Sequence, residues 1–333
     1  MKAFRIALLG GGTVGGSFYT LVQAQRERFS ALGFEVGFTG VLVRRPEKPR
    51  PIPKALLRQE PMDLLEAEVV VEAMGGVEAP FRLLLPALEA GIPVITANKA
   101  LLAERWEALR PFAEKGLLYY EASVMAGTPS LAALEALRGS RPLELHALLN
   151  GTTLYLLDEM EKGKPYEEAL KEAQAKGYAE ADPSLDVLGT DAAHKLTLLA
   201  RLLVDPGFPF SEVQTKGITH LTPEALKEAR RRGLRIRLVG SLFPQAGRWR
   251  AEVRPVALPL DHPLAETKGQ NALLFLSREL GEVFLRGPGA GGEATAAGLL
   301  SDLFRLLLGT PGHKPLPHPI SPPDHTPVRW EEA

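Results

Sequence analysis

A glycine-rich turn close to the amino terminus constrains the fold of this chain most strongly. An apolar run at residues 4–9 leads into residues 10–15, which read Gly-Gly-Gly-Thr-Val-Gly. This spacing fits the pattern G-x-G-x-x-G. Gly10 makes the tight turn, Gly12 admits a pyrophosphate, and Gly15 lets the following helix pack closely on the strand. Because the turn follows a predicted strand and opens a predicted helix, it indicates a dinucleotide site.

Strands and helices alternate through the first 140 residues. The predicted strands are 4–9, 34–43, 68–73, 92–95 and 117–121. The predicted helices follow them at about 13–32, from the turn at 75–76 through 88, at 100–115 and at 129–138. This alternation predicts βαβ units and a Rossmann-type, doubly wound parallel sheet in an α/β fold.

The regular alternation of strands and helices ends after residue 141, and this change predicts a second, α+β domain. Predicted helices are 153–162, 166–176 and 190–204, and predicted strands are 143–149, 235–243, 249–256, 271–277 and 282–285. We therefore expect a dinucleotide-binding domain at 1–140, completed by a helix at 294–309, and a catalytic and dimerisation domain at 141–290. Residues 310–333 are predicted to form a proline-rich extended tail.

Composition narrows the class of protein. The chain has 333 residues, 45% of them hydrophobic, and a net charge of -1, which argues against a nucleic-acid or membrane-surface partner. No stretch approaches the roughly 20 apolar residues of a membrane span, and no signal peptide precedes the first strand, so we expect a cytoplasmic protein. It has no cysteine, which excludes thiol nucleophiles. Sparse asparagine with abundant Pro, Arg and Glu suggests a heat-adapted host.

Two positions next to predicted strands bear on the cofactor. Arg44 and Arg45 follow the second strand, where NAD sites usually place an acid, so they favour the 2′-phosphate of NADP; the alternative is a solvated basic turn. Thr96 and Lys99 follow the fourth strand, at the sheet edge where such folds bind ligands, and Lys99 could reach the nicotinamide. The alternative there is a helix cap made by Asn98.

Residues 121–128 follow the fifth strand at the same edge. They offer the Glu121 carboxylate and an irregular run of backbone carbonyls. Such oxygens suit a hard cation, and an ordinary loop is an equal alternative.

A second motif, residues 177–195, concentrates charge in the middle of the chain. Asp191 and Lys195 are spaced i, i+4 on one face of a helix that is apolar over much of its circumference, so we expect Lys195 to be buried. Glu180, Asp182 and Asp186 crowd the loop before this helix, which is unfavourable unless a cation or ammonium group binds there. The motif therefore favours function over a surface ion pair.

The second motif closely resembles the signature of homoserine dehydrogenases. The resemblance extends to Thr96-Ala97-Asn98-Lys99, residues 121–128, Asn150-Gly151-Thr152-Thr153 and Gly289-Ala290-Gly291. It implies interconversion of L-homoserine and L-aspartate 4-semialdehyde with NAD(P), on the route to threonine and methionine. It also implies a homodimer and a monovalent cation, expected to be sodium.

The resemblance also implies roles for particular residues. Lys195 corresponds to the proton donor to the aldehyde oxygen, and Lys99 to its catalytic partner. The expected substrate residues are Glu180, Asp186, Asp191, Gly151 and Thr152. The expected cofactor contacts are Gly12, Thr13, Val14 and Gly291, and the expected cation ligands are Glu121 and the carbonyls of Val124, Ala126 and Thr128.

The sequence also distinguishes this function from three alternatives. Aspartate-semialdehyde dehydrogenase is rejected because it needs a cysteine nucleophile. Another Rossmann-fold alcohol or sugar dehydrogenase would not need the pairing of Glu180 with Asp191. A silent NADP-binding sensor could lose either Lys99 or Lys195, yet both are present. The resemblance further suggests a short form with neither an aspartate kinase nor an ACT domain, and hence no ACT-type inhibition by threonine.

Overall fold

The structure of the chain, a computed structural model, describes residues 1–61, 63–267 and 269–333. The strands in chain order are β1 (Lys2–Leu9), β2 (Phe34–Leu42), β3 (Leu57–Arg58), β4 (Val69–Glu72), β5 (Val94–Thr96), β6 (Leu118–Tyr119), β7 (Pro142–Leu148), β8 (Gln214–Thr215), β9 (Leu234–Gln245), β10 (Arg248–Pro259), β11 (Asn271–Ser277), β12 (Gly281–Gly287) and β13 (Glu331–Glu332).

The helices in chain order are α1 (Thr13–Ala24), α2 (Arg26–Ala31), α3 (Glu78–Glu89), α4 (Lys99–Glu104), α5 (Trp106–Glu114), α6 (Ala122–Met125), α7 (Ser130–Ala136), α8 (Gly151–Glu161), α9 (Tyr166–Ala175), α10 (Ser184–Val187), α11 (Thr190–Leu203), α12 (Pro223–Arg231) and α13 (Gly292–Leu307). These elements form two compact units. The first unit comprises Met1–Glu135 and Ala290–Pro317, and the second unit comprises Ala136–Gly289 and His318–Ala333.

The first unit is built on a parallel sheet with strand order β3-β2-β1-β4-β5-β6. This order confirms the predicted Rossmann-type sheet. The central strands are buried on both faces, as in Val69–Val71, because helices cover both sides of such a sheet. Phe18 of α1, Phe29 of α2 and Leu303 of α13 belong to its apolar core. Helix α13 therefore completes this unit although it lies far along the chain.

The second unit contains a mixed sheet with strand order β12-β11-β7-β9-β10-β13, and β8 pairs with β10. The predicted antiparallel pairings of β9 with β10 and of β11 with β12 are confirmed. Ala246 and Gly247, both with positive φ, connect β9 to β10 in a two-residue turn of the kind that matches the twist of a hairpin. Helix α11 is buried along nearly its whole length, and its Leu196 packs beside Gly240 of β9.

Several predicted elements differ from the structure. The helix predicted at 13–32 is interrupted at Gln25, and the helix predicted at 100–115 is interrupted at Arg105. The apolar pattern continues through both interruptions because the segments on either side bury side chains in the same unit, so periodicity alone could not locate the breaks. Helix α12 was not predicted, although Thr222 caps its start and Pro223 occupies its first turn.

The last residues of the chain pack on the second unit. We call His318–Ala333 the carboxy-terminal strap. Its Glu331 and Glu332 pair with β10, and the Trp330 ring lies 4.5 Å from that of His146 and 5.3 Å from that of His262. The extended tail predicted at 310–333 did not include this short strand. The predicted domain boundaries stay a prediction. In the described part of the chain, helices are too short or too polar to cross a membrane.

Candidate functional site

The glycine turn after β1 has the geometry that a pyrophosphate site needs. Gly10 has φ +102°, and a Cβ there would lie 2.6 Å from the Ala73 carbonyl oxygen. A Cβ at Gly15 would lie 1.8 Å from the Gly10 carbonyl oxygen, whereas a Cβ at Gly12 would meet nothing within 4 Å. The outer two glycines are therefore required by packing, and Gly12, the N-cap residue of α1, leaves open space in front of the helix N-terminus.

The start of α13 lies against the same turn. A Cβ at Gly292 would come within 2.5 Å of the Thr13 side chain, and the preceding Gly291 has φ +108°. The structure thus brings the predicted cofactor residues Thr13 and Gly291 into one region of the first unit. Val14 lies next to them in α1, half-buried against the core.

A cleft of about 510 Å³ opens beside this turn. Its lining includes Gly12, Thr13, Lys48 and Arg50. Arg50 donates a hydrogen bond to the Gly11 carbonyl at 3.2 Å and another to the Arg45 carbonyl. Arg44 and Arg45, the residues predicted to bind the 2′-phosphate of NADP, are exposed just before this loop. Lys48 and Arg50 were not predicted as cofactor residues, although both stand in the same short basic segment.

A buried carboxylate organises the neighbouring edge of the sheet. Glu72 ends β4 and accepts hydrogen bonds from the Thr96 hydroxyl at 2.6 Å and from the Met74 N–H at 2.7 Å. Burial raises the pKa of this carboxyl group, against the effect of its hydrogen-bond donors. Sequence reasoning did not identify Glu72; the signal available was a charged residue at the end of an otherwise apolar strand.

Asn98 connects this edge to Lys99. Its side chain donates to the Gly76 carbonyl at 2.7 Å and accepts from the Leu101 N–H at 3.1 Å, so it caps α4. Its backbone N–H donates to the Thr96 hydroxyl oxygen at 3.0 Å. Lys99, half-buried, is the first residue of α4. The helix cap made by Asn98, which was the alternative explanation for this segment, is therefore present in the structure. The cap also fixes the backbone position of Lys99.

Glu121 is engaged with the start of α7. Its two carboxylate oxygens accept backbone hydrogen bonds from Leu131 and Ala132, each at 2.8 Å, and burial raises its pKa. Ala126 has φ +50° and ψ −112°, an unusual conformation for a residue other than glycine, which turns the chain between Val124 and Thr128. Groups of three or more His, Cys, Asp or Glu side chains that could hold a metal ion are absent from the described residues.

The second unit contains a buried network of polar side chains. Lys195 and Asp191 are each 7% exposed, which confirms that the lysine is buried. The Lys195 Nζ donates to Asp191 Oδ2 at 2.9 Å and to the Leu149 carbonyl at 2.6 Å. Asn150 Nδ2 donates to the same Asp191 oxygen at 2.9 Å and to Asp186 Oδ1 at 2.6 Å. Asp186, Asp191 and Lys195, the charged members of this network, were all predicted site residues, whereas Asn150 had no predicted role.

Burial raises the pKa of Asp186, and the charge of Asp191 adds to the effect. Thr152, whose hydroxyl donates to the Tyr178 carbonyl at 2.7 Å, ties the start of α8 to the loop that carries Glu180. Within the part of the chain that the structure describes, the Glu180 side chain is exposed and lies outside the network. The exposed Asp182 accepts from Ser184 in a local turn. The structure therefore groups Asp186, Asp191 and Lys195, and leaves Glu180 at their margin.

Comparison with protein families agrees with the two units. A family model described as homoserine dehydrogenase matches residues 129–304, and a model described as the homoserine dehydrogenase NAD-binding domain matches residues 10–121. A homoserine dehydrogenase of Bacillus subtilis is 39% identical over 92% of this chain and 73% of its own length. A homoserine dehydrogenase of Neisseria gonorrhoeae is 36% identical over 96% of this chain and 76% of its own length.

Solved structures show the same likeness. The crystal structure of a homoserine dehydrogenase from Thiobacillus denitrificans is similar with a TM-score of 0.87 and 34% identity, over 96% of this chain and 77% of that chain. A hyperthermophilic archaeal homoserine dehydrogenase in complex with NADPH is similar with a TM-score of 0.79 and 27% identity, over 94% of this chain and 100% of that chain.

Proposed function

This chain belongs to the homoserine dehydrogenase family, and from that premise we propose that its first unit binds NADP and its second unit binds L-homoserine or L-aspartate 4-semialdehyde. It is an NAD(P)-dependent oxidoreductase that acts on a CH–OH group. The observation that carries the substrate assignment is the buried pair of Lys195 and Asp191 beside Asp186. Neither another Rossmann-fold alcohol or sugar dehydrogenase nor a silent NADP-binding sensor is favoured, because the relatives are homoserine dehydrogenases.

Lys195 has the chemistry of an acid–base group. In aldehyde reduction its ammonium group gives a proton from Nζ to the aldehyde oxygen, and in alcohol oxidation the neutral amine takes that proton. Asp191 and the Leu149 carbonyl hold Nζ at one place. While protonated, the lysine also stabilises negative charge that develops on the oxygen. The chemistry that a nicotinamide held by the first unit would supply is hydride transfer to or from C4 of the substrate.

The acidic residues suit the ammonium group of homoserine. We assign Glu180 and Asp191 to that group, with Asp186 nearby, and we assign Gly151 and Thr152 to the wall of the substrate pocket. Glu180 lies on an exposed loop, which leaves its carboxylate accessible to a ligand. Lys99, in the first unit, is assigned as the catalytic partner of Lys195.

Basic residues after β2 support a preference for NADP. Arg44, Arg45, Lys48 and Arg50 place four cationic side chains within seven positions, and the last two line the cleft beside Gly12. A 2′-phosphate is the part of NADP that such charges recognise. The NADPH complex of the archaeal relative supports this direction, and NAD remains a second acceptable cofactor.

Residues 121–128 fit a sodium ion by the chemistry of their donors. A carboxylate at Glu121 and carbonyls at Val124, Ala126 and Thr128 are all hard oxygen ligands. The turn at Ala126 supports the assignment because it reorients successive carbonyls over a short stretch. When bound, the ion would supply positive charge next to this loop and order it.

The family resemblance also supports three properties of the whole protein. We propose that the chain acts as a homodimer, that it works in the cytoplasm on the route to threonine and methionine, and that its host is heat-adapted. The scarcity of asparagine, at Asn98, Asn150 and Asn271 alone, supports the last of these.

A spectrophotometric assay tests the activity. Purified protein, NADP and L-homoserine at alkaline pH are expected to produce reduced nicotinamide, while L-serine or a sugar alcohol in place of homoserine produces none. Lys195→Ala is expected to abolish most turnover, and Lys171→Ala, which removes an exposed lysine of the same unit, is the matched control. Turnover of the sugar alcohol alone would favour the other dehydrogenase class, and NADP binding without any turnover would favour a sensor.

A further inference from the structure

Asn150 has a side chain whose every polar atom is used and whose orientation is fixed. It is 4% exposed and caps α8, with Oδ1 accepting from the Thr153 N–H at 2.8 Å. Its Nδ2 donates to Asp186 at 2.6 Å and to Asp191 at 2.9 Å. A reversed amide would set Oδ1 against two carboxylates and a nitrogen against a donor, so only one orientation is possible.

The carboxylates that Asn150 joins come from different elements. Asp186 belongs to α10 and Asp191 to α11, and the structure brings both within reach of one amide. Asp191 is buried and Asp186 half-buried; their carboxylates repel one another, and each donor between them offsets part of that repulsion. Lys195 donates to Asp191, whereas Asn150 donates to both Asp186 and Asp191.

The backbone adds a second link. Leu149, whose carbonyl accepts from Lys195 Nζ, directly precedes Asn150. Asn150 therefore holds the neighbouring Leu149 carbonyl through the backbone, and it holds Asp186 and Asp191 through its side chain. A change in Asn150 therefore acts on both acids and next to the Leu149 carbonyl.

We propose that Asn150 is a positioning residue for the reaction, which holds the Asp186 and Asp191 carboxylates at a fixed separation beside the substrate's ammonium group and prevents Asp186 from competing for Lys195. This inference rests on the proposed function of the second unit. The groups that face Asp186 are Asn150, Thr152, Asp191 and Lys195. Loss of the Asn150 amide donor removes a hydrogen bond from the Asp186 carboxylate, so Asp186 takes up a proton more readily.

Two substitutions separate the amide donor from the helix cap. Asn150→Ser keeps an oxygen that can cap α8 and removes the amide donor. Asn150→Asp keeps the shape and the capping oxygen and adds a third carboxylate. Thr222→Ala is the matched control, because it removes the side-chain cap of α12 in the same unit, away from the network. All variants and the wild type are compared by thermal unfolding, NADP affinity, and the pH dependence of homoserine turnover.

For Asn150→Ser we expect the KM for homoserine to rise roughly 10- to 100-fold, the scale of one hydrogen bond to a charged group. We expect the acid limb of kcat/KM to move to higher pH, because Asp186 loses a hydrogen-bond donor, with NADP affinity unchanged. Asn150→Asp is expected to move that limb further, and Thr222→Ala to lower thermal stability without moving it. If Asn150→Ser and Asn150→Asp keep the wild-type KM and pH profile, Asn150 is only a helix cap and the inference fails. Absence of turnover by the wild type would instead overturn the proposed function and, with it, this inference.

Discussion

The hydroxyl of Thr96 donates a hydrogen bond to the Glu72 carboxylate over 2.6 Å, and both side chains are fully buried. The two residues lie opposite each other at the ends of β4 and β5. Glu72 also holds the Met74 N–H, and Thr96 holds the Asn98 N–H. Two loops at the carboxyl edge of the sheet are therefore attached to one carboxylate, and Lys99 opens the helix after the second loop.

Thr96→Val is expected to destabilise the first unit by about 1–3 kcal/mol, since it removes a donor to a buried carboxylate. The displaced loop is expected to lower kcat/KM for homoserine by about 10-fold or more. Thr96→Ser keeps the hydroxyl and serves as the control, with near wild-type values in both respects. Denaturant unfolding and steady-state kinetics measure the two effects. Equal behaviour of the valine and serine variants would show that the hydroxyl is unimportant.

Lys195 offers a test of proton transfer as distinct from charge. Lys195→Ala is expected to lower kcat on the order of 10²-fold or more, the usual contribution of an acid–base group. Lys195→Arg keeps the positive charge, but the guanidinium group does not release its proton at working pH, so a similar loss of kcat is expected. NADP titration and thermal unfolding confirm that each variant is folded. A Lys195→Arg enzyme with near wild-type kcat would assign the lysine an electrostatic role only.

The sequence predicted those parts of the site that depend on local spacing. Asp191 and Lys195 are one helical turn apart, so their pairing follows from periodicity, and the glycines of the first turn follow from the strand and helix around them. The Glu72–Thr96 bond depends on the register between two strands. The role of Asn150 depends on the approach of α8, α10 and α11, which are separated in the chain. Long-range packing of this kind leaves no periodic signal in a single sequence.

The basic segment after β2 illustrates the same limit. Arg44 and Arg45 stand where an acid usually ends the second strand, and this position predicts a role in 2′-phosphate binding. The loop then folds back, so that Arg50 reaches the Gly11 carbonyl and Lys48 lines the cleft. Prolines at 49, 51 and 53 restrict the backbone of this loop, but the direction it takes is not readable from composition.

Cofactor choice can be assigned to particular side chains. Replacing Arg44 and Arg45 together by alanine is expected to weaken NADP binding roughly 10-fold or more while NAD binding changes little, because only NADP carries the 2′-phosphate. Arg50→Ala is expected to weaken both cofactors, since Arg50 braces the Gly11 carbonyl. Arg58→Ala, an exposed arginine on β3, is the control. Equal losses of NADP and NAD in the double variant would remove Arg44 and Arg45 from phosphate recognition.

The carboxy-terminal strap is fastened to the second unit through Glu144. This buried carboxylate accepts from His325 at 2.6 Å, from His146 at 2.9 Å, and from the Val328 N–H at 3.0 Å. Burial alone would raise the pKa of Glu144, but these hydrogen bonds outweigh it and lower the pKa below its usual value of 4.5. The contribution of Glu144 to stability is therefore present above pH 4.5 and is lost as the pH falls through the lower pKa of the folded state.

Glu144→Gln is accordingly expected to destabilise the protein at neutral pH by about 1–3 kcal/mol, because an amide cannot accept from all three donors. The difference from wild type is expected to shrink in acid, where the wild-type carboxylate takes up a proton. Trp330, which packs against His146, reports detachment of the strap by fluorescence. Glu332→Gln, which breaks an exposed ion pair between the strap and Lys216, is the control and should leave the unfolding midpoint nearly unchanged. A constant difference between Glu144→Gln and wild type at every pH would show that ionisation of Glu144 does not hold the strap.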